Sequence, residues 1–116
     1  MMECSTFDEL DLGEFSATLL AQLKGQRYPL SGMFELTERC NQNCVHCYVN
    51  QPASSPAAHS SELTTGQVKD ILDQLAAAGC MFLTFTGGEP MLRLDFLEIY
   101  LHARKLGILA SIFTNG

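Results

Sequence analysis

The chain has 116 residues, with 7 Lys and Arg against 13 Asp and Glu for a formal net charge of −6, and 47% of its residues are hydrophobic. That length fits one globular domain with its own core. Scattered basic residues give no stripe to neutralise phosphates, so no nucleic-acid partner is expected. The apolar content excludes a disordered chain, and runs such as Met81–Phe85 fall far short of the roughly 18 residues that cross a membrane.

The first residues, Met1, Met2, Glu3 and Cys4, are acidic and polar, with no basic region leading into an apolar stretch, so no secretory signal is expected and the cytoplasm is the expected compartment. Residues 1–31 read as an N-terminal extension, in which Phe15, Leu19, Leu20 and Leu23 fall on one face of a short packing helix ended by Gly25. Gly32 to Thr37 then read as a strand that feeds straight into a cysteine loop. From Tyr48 to Ser61 the chain is rich in Pro, Ser and Ala, and Pro52 and Pro56 predict a loop without regular structure.

A well-punctuated helix follows. Thr64 and Gln67 fit a capping box, Val68, Ile71, Leu72 and Leu75 repeat at helical spacing, and Gly79 closes the element. Met81 to Phe85 is a nearly continuous apolar run, as expected for a strand covered on both faces of a parallel sheet. It ends at Gly87-Gly88-Glu89-Pro90. A second helix is predicted from about Asp95, with Phe96, Ile99, Tyr100 and Ala103 on one face and Arg104 and Lys105 in the last turn, ending at Gly107. Ile108 to Phe113 form the third strand, followed by Thr114-Asn115-Gly116.

The order strand, helix, strand, helix, strand predicts an α/β fold with a parallel sheet built from βαβ crossovers. Chemistry in such folds sits at the carboxyl ends of the strands, where all three notable loops fall. A third strand with no helix after it reads as a truncated piece of a larger sheet, the N-terminal portion of a (β/α) partial barrel spanning residues 32–116.

Of the 5 cysteines, Cys40, Cys44 and Cys47 share one short stretch spaced C-x3-C-x2-C, while Cys4 and Cys80 stand alone. An odd count without a signal peptide argues against a disulfide framework. Three thiolates on one loop can wrap a metal centre. A structural zinc would need a fourth ligand from His46, His59 or Cys80, whereas a four-iron cluster on three cysteines leaves one iron open. Both stay open on the spacing alone, as does a coincidence of buried thiols. Gly87-Gly88-Glu89-Pro90 offers bare backbone and one carboxylate, suited either to a small ligand carrying an ammonium group or simply to a turn before a helix.

In their order and positions, Cys40-x3-Cys44-x2-Cys47 after the first strand, Gly87-Gly88-Glu89-Pro90 after the second and Thr114-Asn115-Gly116 after the third resemble the radical S-adenosylmethionine (SAM) superfamily. Cys40-Asn41 with His46-Cys47-Tyr48 looks most like its peptide- and cofactor-maturing, SPASM-type branch. The resemblance covers residues 33–116. It implies that Cys40, Cys44 and Cys47 ligate a [4Fe-4S] cluster whose open iron binds SAM, that Gly87, Gly88 and Glu89 hydrogen-bond the SAM amino group, and that Pro90 fixes the turn. His46 stands where the family usually has an aromatic residue, and its ring either stacks near adenine or is an ordinary loop histidine. Asn115 either reaches the ligand or belongs to a turn. The implied activity is that of a maturase-type oxidoreductase. Its cluster reductively cleaves SAM to a 5′-deoxyadenosyl radical that abstracts hydrogen from a peptide or small-molecule substrate, with electrons from a donor such as a flavodoxin or ferredoxin.

The segment alone, lacking later strands, is not expected to turn over. The alternative is a non-catalytic module carrying a structural zinc or a cluster. Cys80 reads as a small buried hydrophobe, and Cys4, His59 and His102 as bystanders. Glu35 faces either solvent or a barrel interior.

Overall fold

A computed structural model of the chain describes residues 10–49 and 51–116; Cys4 lies outside these. The elements run α1 (Leu12–Leu23), β1 (Ser31–Glu35), β2 (Arg39–Cys40), β3 (Gln51–Pro52), α2 (Pro56–Ser61), α3 (Thr65–Ala77), β4 (Phe82–Thr86), a 3-10 turn (Pro90–Leu92), α4 (Phe96–Lys105) and β5 (Leu109–Ile112). The main sheet has the order β1-β4-β5 with every pair parallel, and a second, two-stranded sheet pairs β2 with β3.

Helix α3 forms where its local signals require it. The Thr64 hydroxyl accepts from Gln67 N–H at 3.2 Å, and the Gln67 side chain returns the bond to Thr64 N–H at 2.9 Å, closing the capping box. The chain leaves the helix at Gly79 with φ +96°, a conformation available at little cost only to glycine. Val68 and Leu72 are buried on the inner face of α3, and Phe96, Ile99 and Ala103 on that of α4. These pack with Leu36, Leu83, Phe85 and Ile108 into one core. Phe85 is its centre: Phe96 stands edge-on to it at 6.1 Å between ring centroids, and Phe34 and Tyr100 each lie at 6.5 Å.

Three expectations change. First, the sheet is covered on one face only. Leu83 and Phe85 are buried, but Phe82 on the opposite face is 38% exposed, alongside exposed Met33 and Leu109. Alternate residues of a strand point to opposite faces, and only the face turned to α3 and α4 is packed. Second, residues 48–61 are not all irregular. Pro56 opens α2, because the first helical position needs no N–H donor, and Ser55 caps it by accepting from Ala58 N–H at 3.3 Å. Pro52 sits in the two-residue β3. Third, α1 is present and capped by Asp11 accepting from Glu14 N–H at 2.8 Å, but its apolar stripe is only half used. Leu19 and Leu23 are half-buried, Phe15 and Leu20 are exposed, and no residue of the helix is buried. Local bonds, more than packing, hold it.

Among the described residues no helix is long and apolar enough to cross a membrane. Because β4 is the central strand, its carboxyl end sits between those of β1 and β5, and this places the Gly87–Pro90 turn between the cysteine loop and the 114–116 segment.

Leu72→Ala is expected to lower unfolding free energy by about 2–5 kcal/mol, seen as a lower urea midpoint at unchanged slope. Leu101→Ala, on the exposed side of α4, is expected to change it by less than about 0.5 kcal/mol.

Candidate metal and cofactor site

The site is built on the backbone that leaves β1. Leu36 N–H still donates to Thr86 O at 2.9 Å, and Leu36 and Thr37 are buried. Here the turn after β4 docks against the chain. Gly88 N–H donates to Thr37 O at 2.7 Å and Glu89 N–H donates to Arg39 O at 2.8 Å. No side chain fits between the two backbones. A Cβ on Gly87 would lie 2.2 Å from Thr37 O, and one on Gly88 would lie 2.2 Å from Arg39 O. Gly87 also has φ +142°, which other residues rarely adopt. The bare backbone thus serves first for close approach of the chain to itself, and the two N–H groups point inward, away from any ligand.

Cys40 ends β2 and is half-buried, whereas Cys44 and Cys47 are exposed in a turn closed by Cys47 N–H donating to Cys44 O at 3.1 Å. All three are free thiols. The loop between them is closed at its base by the Arg39–Gln51 and Cys40–Pro52 pairing and by Gln51 N–H donating to Glu38 O at 3.2 Å. Among the described residues no three His, Cys, Asp or Glu side chains converge as a metal-holding group, so the thiols share a loop without being gathered. The donor set still fits an iron–sulfur centre: three soft ligands free of disulfides on one short loop, two of them exposed. For zinc, two of the three fourth ligands considered from the sequence lie away from the loop. Cys80 is buried in the core just ahead of β4, at the opposite end of the sheet, and His59 lies 3.9 Å from Glu62. Only His46, exposed beside Cys47, is near in the chain.

Glu89 is 3% exposed and heavily bonded. Its Oε1 accepts from Met91 N–H at 3.0 Å and from the Thr114 hydroxyl at 2.7 Å, and its Oε2 accepts from Asn115 N–H at 2.8 Å. Burial pushes the carboxyl up, but the bonds from Asn115, Thr114 and Met91 outweigh it and hold Glu89 below the usual carboxylate range. A carboxylate offers about four lone-pair positions, so one on Oε2 remains. Pro90 is buried and opens the 3-10 turn, where its fixed φ suits the first position. Asn115 is more than a turn residue: its side-chain amide donates to Asn41 Oδ1 at 2.9 Å and toward Cys40 Sγ at 3.7 Å. Glu35 lies on the open face of the sheet, where its carboxylate accepts from the Tyr48 hydroxyl at 2.7 Å. That bond and the Glu35 charge raise the Tyr48 phenol above its ordinary value.

Two further charged groups frame the site without any local signal in the sequence. Arg93 is buried, donating to Leu36 O at 3.0 Å, to Leu63 O at 2.9 Å and to both oxygens of Asp95 at 2.9 and 2.7 Å. Asp95 also accepts from the Thr65 hydroxyl at 2.6 Å, so it does not cap α4. Arg93 is the main cause that brings Asp95 down to about 2. Glu62 accepts from the Thr37 hydroxyl and from Arg39 Nε, the latter at 2.6 Å.

Three loops therefore meet at one sheet edge in fixed order, a thiol loop bonded to a Gly-Gly-Glu turn that is bonded in turn to Thr-Asn. A family model for the radical SAM superfamily matches residues 34–116, the stretch that contains all three. The chain belongs to the radical SAM superfamily. It is 37% identical over 112 residues to an Fe-coproporphyrin III synthase of Methanosarcina barkeri, covering 94% of this chain and 27% of that protein. It is 41% identical over 88 residues to a PqqA peptide cyclase of Xanthomonas oryzae, covering 76% of this chain and 23% of that protein. An AdoMet-dependent heme synthase of M. barkeri is 40% identical over 83 residues, 72% of this chain and 23% of that protein. The chain spans about a quarter of the length of these relatives.

Gly88→Ala is expected to force the turn off Thr37 and Arg39, with a loss of roughly 2 kcal/mol or more by denaturant titration. Glu89 contributes stability at and above the ordinary carboxylate range, and that contribution is lost as pH falls through its depressed value. Unfolding curves of wild type and Glu89→Gln are therefore expected to differ most near neutral pH and to converge in acid.

Proposed function

We propose that this chain is the part of a radical SAM maturase that holds its [4Fe-4S] cluster through Cys40, Cys44 and Cys47 and the methionyl end of SAM through Gly87–Pro90. The observation that carries this reading is the joining of a free three-thiol loop to the Gly-Gly-Glu turn by paired backbone hydrogen bonds. When bound, the cluster supplies the electron that cleaves the SAM sulfonium to methionine and a 5′-deoxyadenosyl radical, which abstracts hydrogen from substrate.

The residues of the chain bind and orient. An ammonium group donates hydrogen bonds, so the partners it needs are acceptors. The Gly88 and Glu89 N–H groups are committed to Thr37 O and Arg39 O, and the carbonyls of Gly87 and Gly88 are assigned to the amino group instead. The remaining Oε2 lone pair and the negative charge of Glu89 complete that pocket, and the low carboxyl pKa keeps the charge in place at neutral pH. Pro90 holds the turn, and His46, exposed beside Cys47, stacks its ring on the adenine. The named activities of the relatives support a substrate in the peptide and cofactor class. A flavodoxin or ferredoxin supplies electrons, and the reaction belongs in the cytoplasm.

Electron paramagnetic resonance of the anaerobically reconstituted, dithionite-reduced intact protein tests the proposal. A [4Fe-4S]+ signal that shifts on adding SAM is expected, and Glu89→Ala is expected to retain iron while weakening the shift. Zinc in place of iron, or a cluster signal indifferent to SAM, would overturn respectively the cluster assignment and the Gly87–Pro90 assignment.

A further inference from the structure

The four residues that lead into the cysteine loop are held far more tightly than the loop itself. Leu36 O accepts from Arg93, Thr37 O from Gly88 N–H, Glu38 O from Gln51 N–H, and Arg39 O from Glu89 N–H. The Asn41 to Tyr48 tip, by contrast, is exposed throughout. The base is tied to other elements through its backbone, whereas the exposed tip reaches the rest of the fold through side chains, Asn41 to Asn115 and Tyr48 to Glu35.

One side chain from outside the loop closes that base. Glu62, directly after α2, accepts from Arg39 Nε at 2.6 Å on Oε1 and from the same guanidinium at 3.3 Å on Oε2, while Oε1 also accepts from the Thr37 hydroxyl. The Thr37 hydroxyl in turn accepts from Arg39 N–H at 3.0 Å. The third arm of Arg39 donates to Ala53 O at 3.3 Å, on the strand side where the chain returns from the loop. Arg39 and Glu62 side chains are 12% and 10% exposed. An ion pair this far from water gains little net stability, because desolvation offsets most of the attraction, and a geometric role is the best-attested use of such a pair.

From this placement we infer that Glu62 is a positioning residue for the metal centre: through Arg39 and Thr37 it fixes the backbone at Cys40 and closes the loop before metal arrives. The inference rests on Cys40, Cys44 and Cys47 being the ligands. Three thiols on a loop with free ends would have to be gathered at the full cost of ordering the chain, whereas a loop already closed at its base has less freedom to lose. Arg39 is the lever, since it adjoins Cys40 and its fork reaches both sides of the base.

Release of iron from the reconstituted intact protein to a chromogenic ferrous chelator, under anaerobic conditions, reads this directly. Removing one partner alone leaves a buried charge uncompensated, so the informative variant is the double Arg39→Met/Glu62→Leu, which removes both charges and retains apolar bulk. Its apo form is expected to keep the wild-type circular dichroism spectrum and urea midpoint, yet to release iron about tenfold faster, the usual scale for loss of a group that orients a metal ligand. Glu62→Gln, which keeps one acceptor oxygen but leaves Arg39 without its counter-charge, is expected to release iron faster than wild type. Glu98→Gln, in the exposed pair with Lys69, is expected to match wild type.

Iron release at the wild-type rate from a folded double variant would overturn the inference and leave the proposed function standing. Loss of the folded spectrum in both the double variant and Glu62→Gln would also overturn it, showing that the pair determines the fold alone. Wild-type protein that takes up no four-iron cluster would instead remove the proposed function on which the inference depends.

Discussion

The seam between Thr37–Arg39 and Gly87–Glu89 is the constraint on which the rest of the site depends. Two backbone hydrogen bonds of 2.7 and 2.8 Å cross it, and its closeness leaves no space for a Cβ at either glycine. β1 and β4 are already parallel neighbours, so their carboxyl ends emerge side by side. The seam extends that adjacency beyond the sheet, into the segments that hold the three cysteines and the Gly-Gly-Glu turn. It also fixes the direction of the turn. With the N–H groups of Gly88 and Glu89 spent on the chain, the face left to a ligand is acceptor-rich, which suits a cationic amine and not a phosphate.

Charge is distributed across the molecule in keeping with this division. The core beneath α3 and α4 is apolar throughout, and its cysteine, Cys80, has its thiol pushed up by burial. At the carboxyl edge of the sheet, buried or half-buried Arg39, Glu62, Glu89, Arg93 and Asp95 bind one another, backbone groups and nearby hydroxyls. Among the described residues every buried side-chain nitrogen and oxygen has a partner. Such a network costs desolvation and returns geometry. It lies where three loops from three strands must keep register with one another, a task apolar packing performs poorly because it is non-directional.

The legibility of the sequence follows the range of the interactions. α3 was readable because its capping box, its apolar spacing and its terminal glycine are all local, and α4 and β5 were readable for similar reasons. Pro56 misled because a breaker inside a helix is a favoured residue at its first position, and the sequence alone does not say which position it holds. Asp95 was expected to open α4, yet its carboxylate goes to Arg93 and Thr65. Arg93 reaches a carbonyl 57 positions away, and Glu62 a guanidinium 23 positions away. No periodicity or spacing rule encodes such pairs, so neither is legible in the sequence. The two glycines imply room for close approach, and the first occupant of that room is the protein's own backbone.

The cysteine loop combines a fixed base with an exposed tip, and the two halves suit different needs. A tip ordered in advance around three thiolates would hold like charges together with nothing to offset them, which is costly at short range even beside water. With the three cysteines as ligands, as proposed, a base left free would make metal binding bear the whole cost of closing the loop. Fixing Cys40 while leaving Cys44 and Cys47 exposed avoids both. Asn115 fits the same scheme: anchored through its N–H to Glu89, it places its amide against Asn41 and toward the Cys40 sulfur. The half-buried one of the three loop thiols is therefore also the one that receives a hydrogen-bond donor from the far strand end.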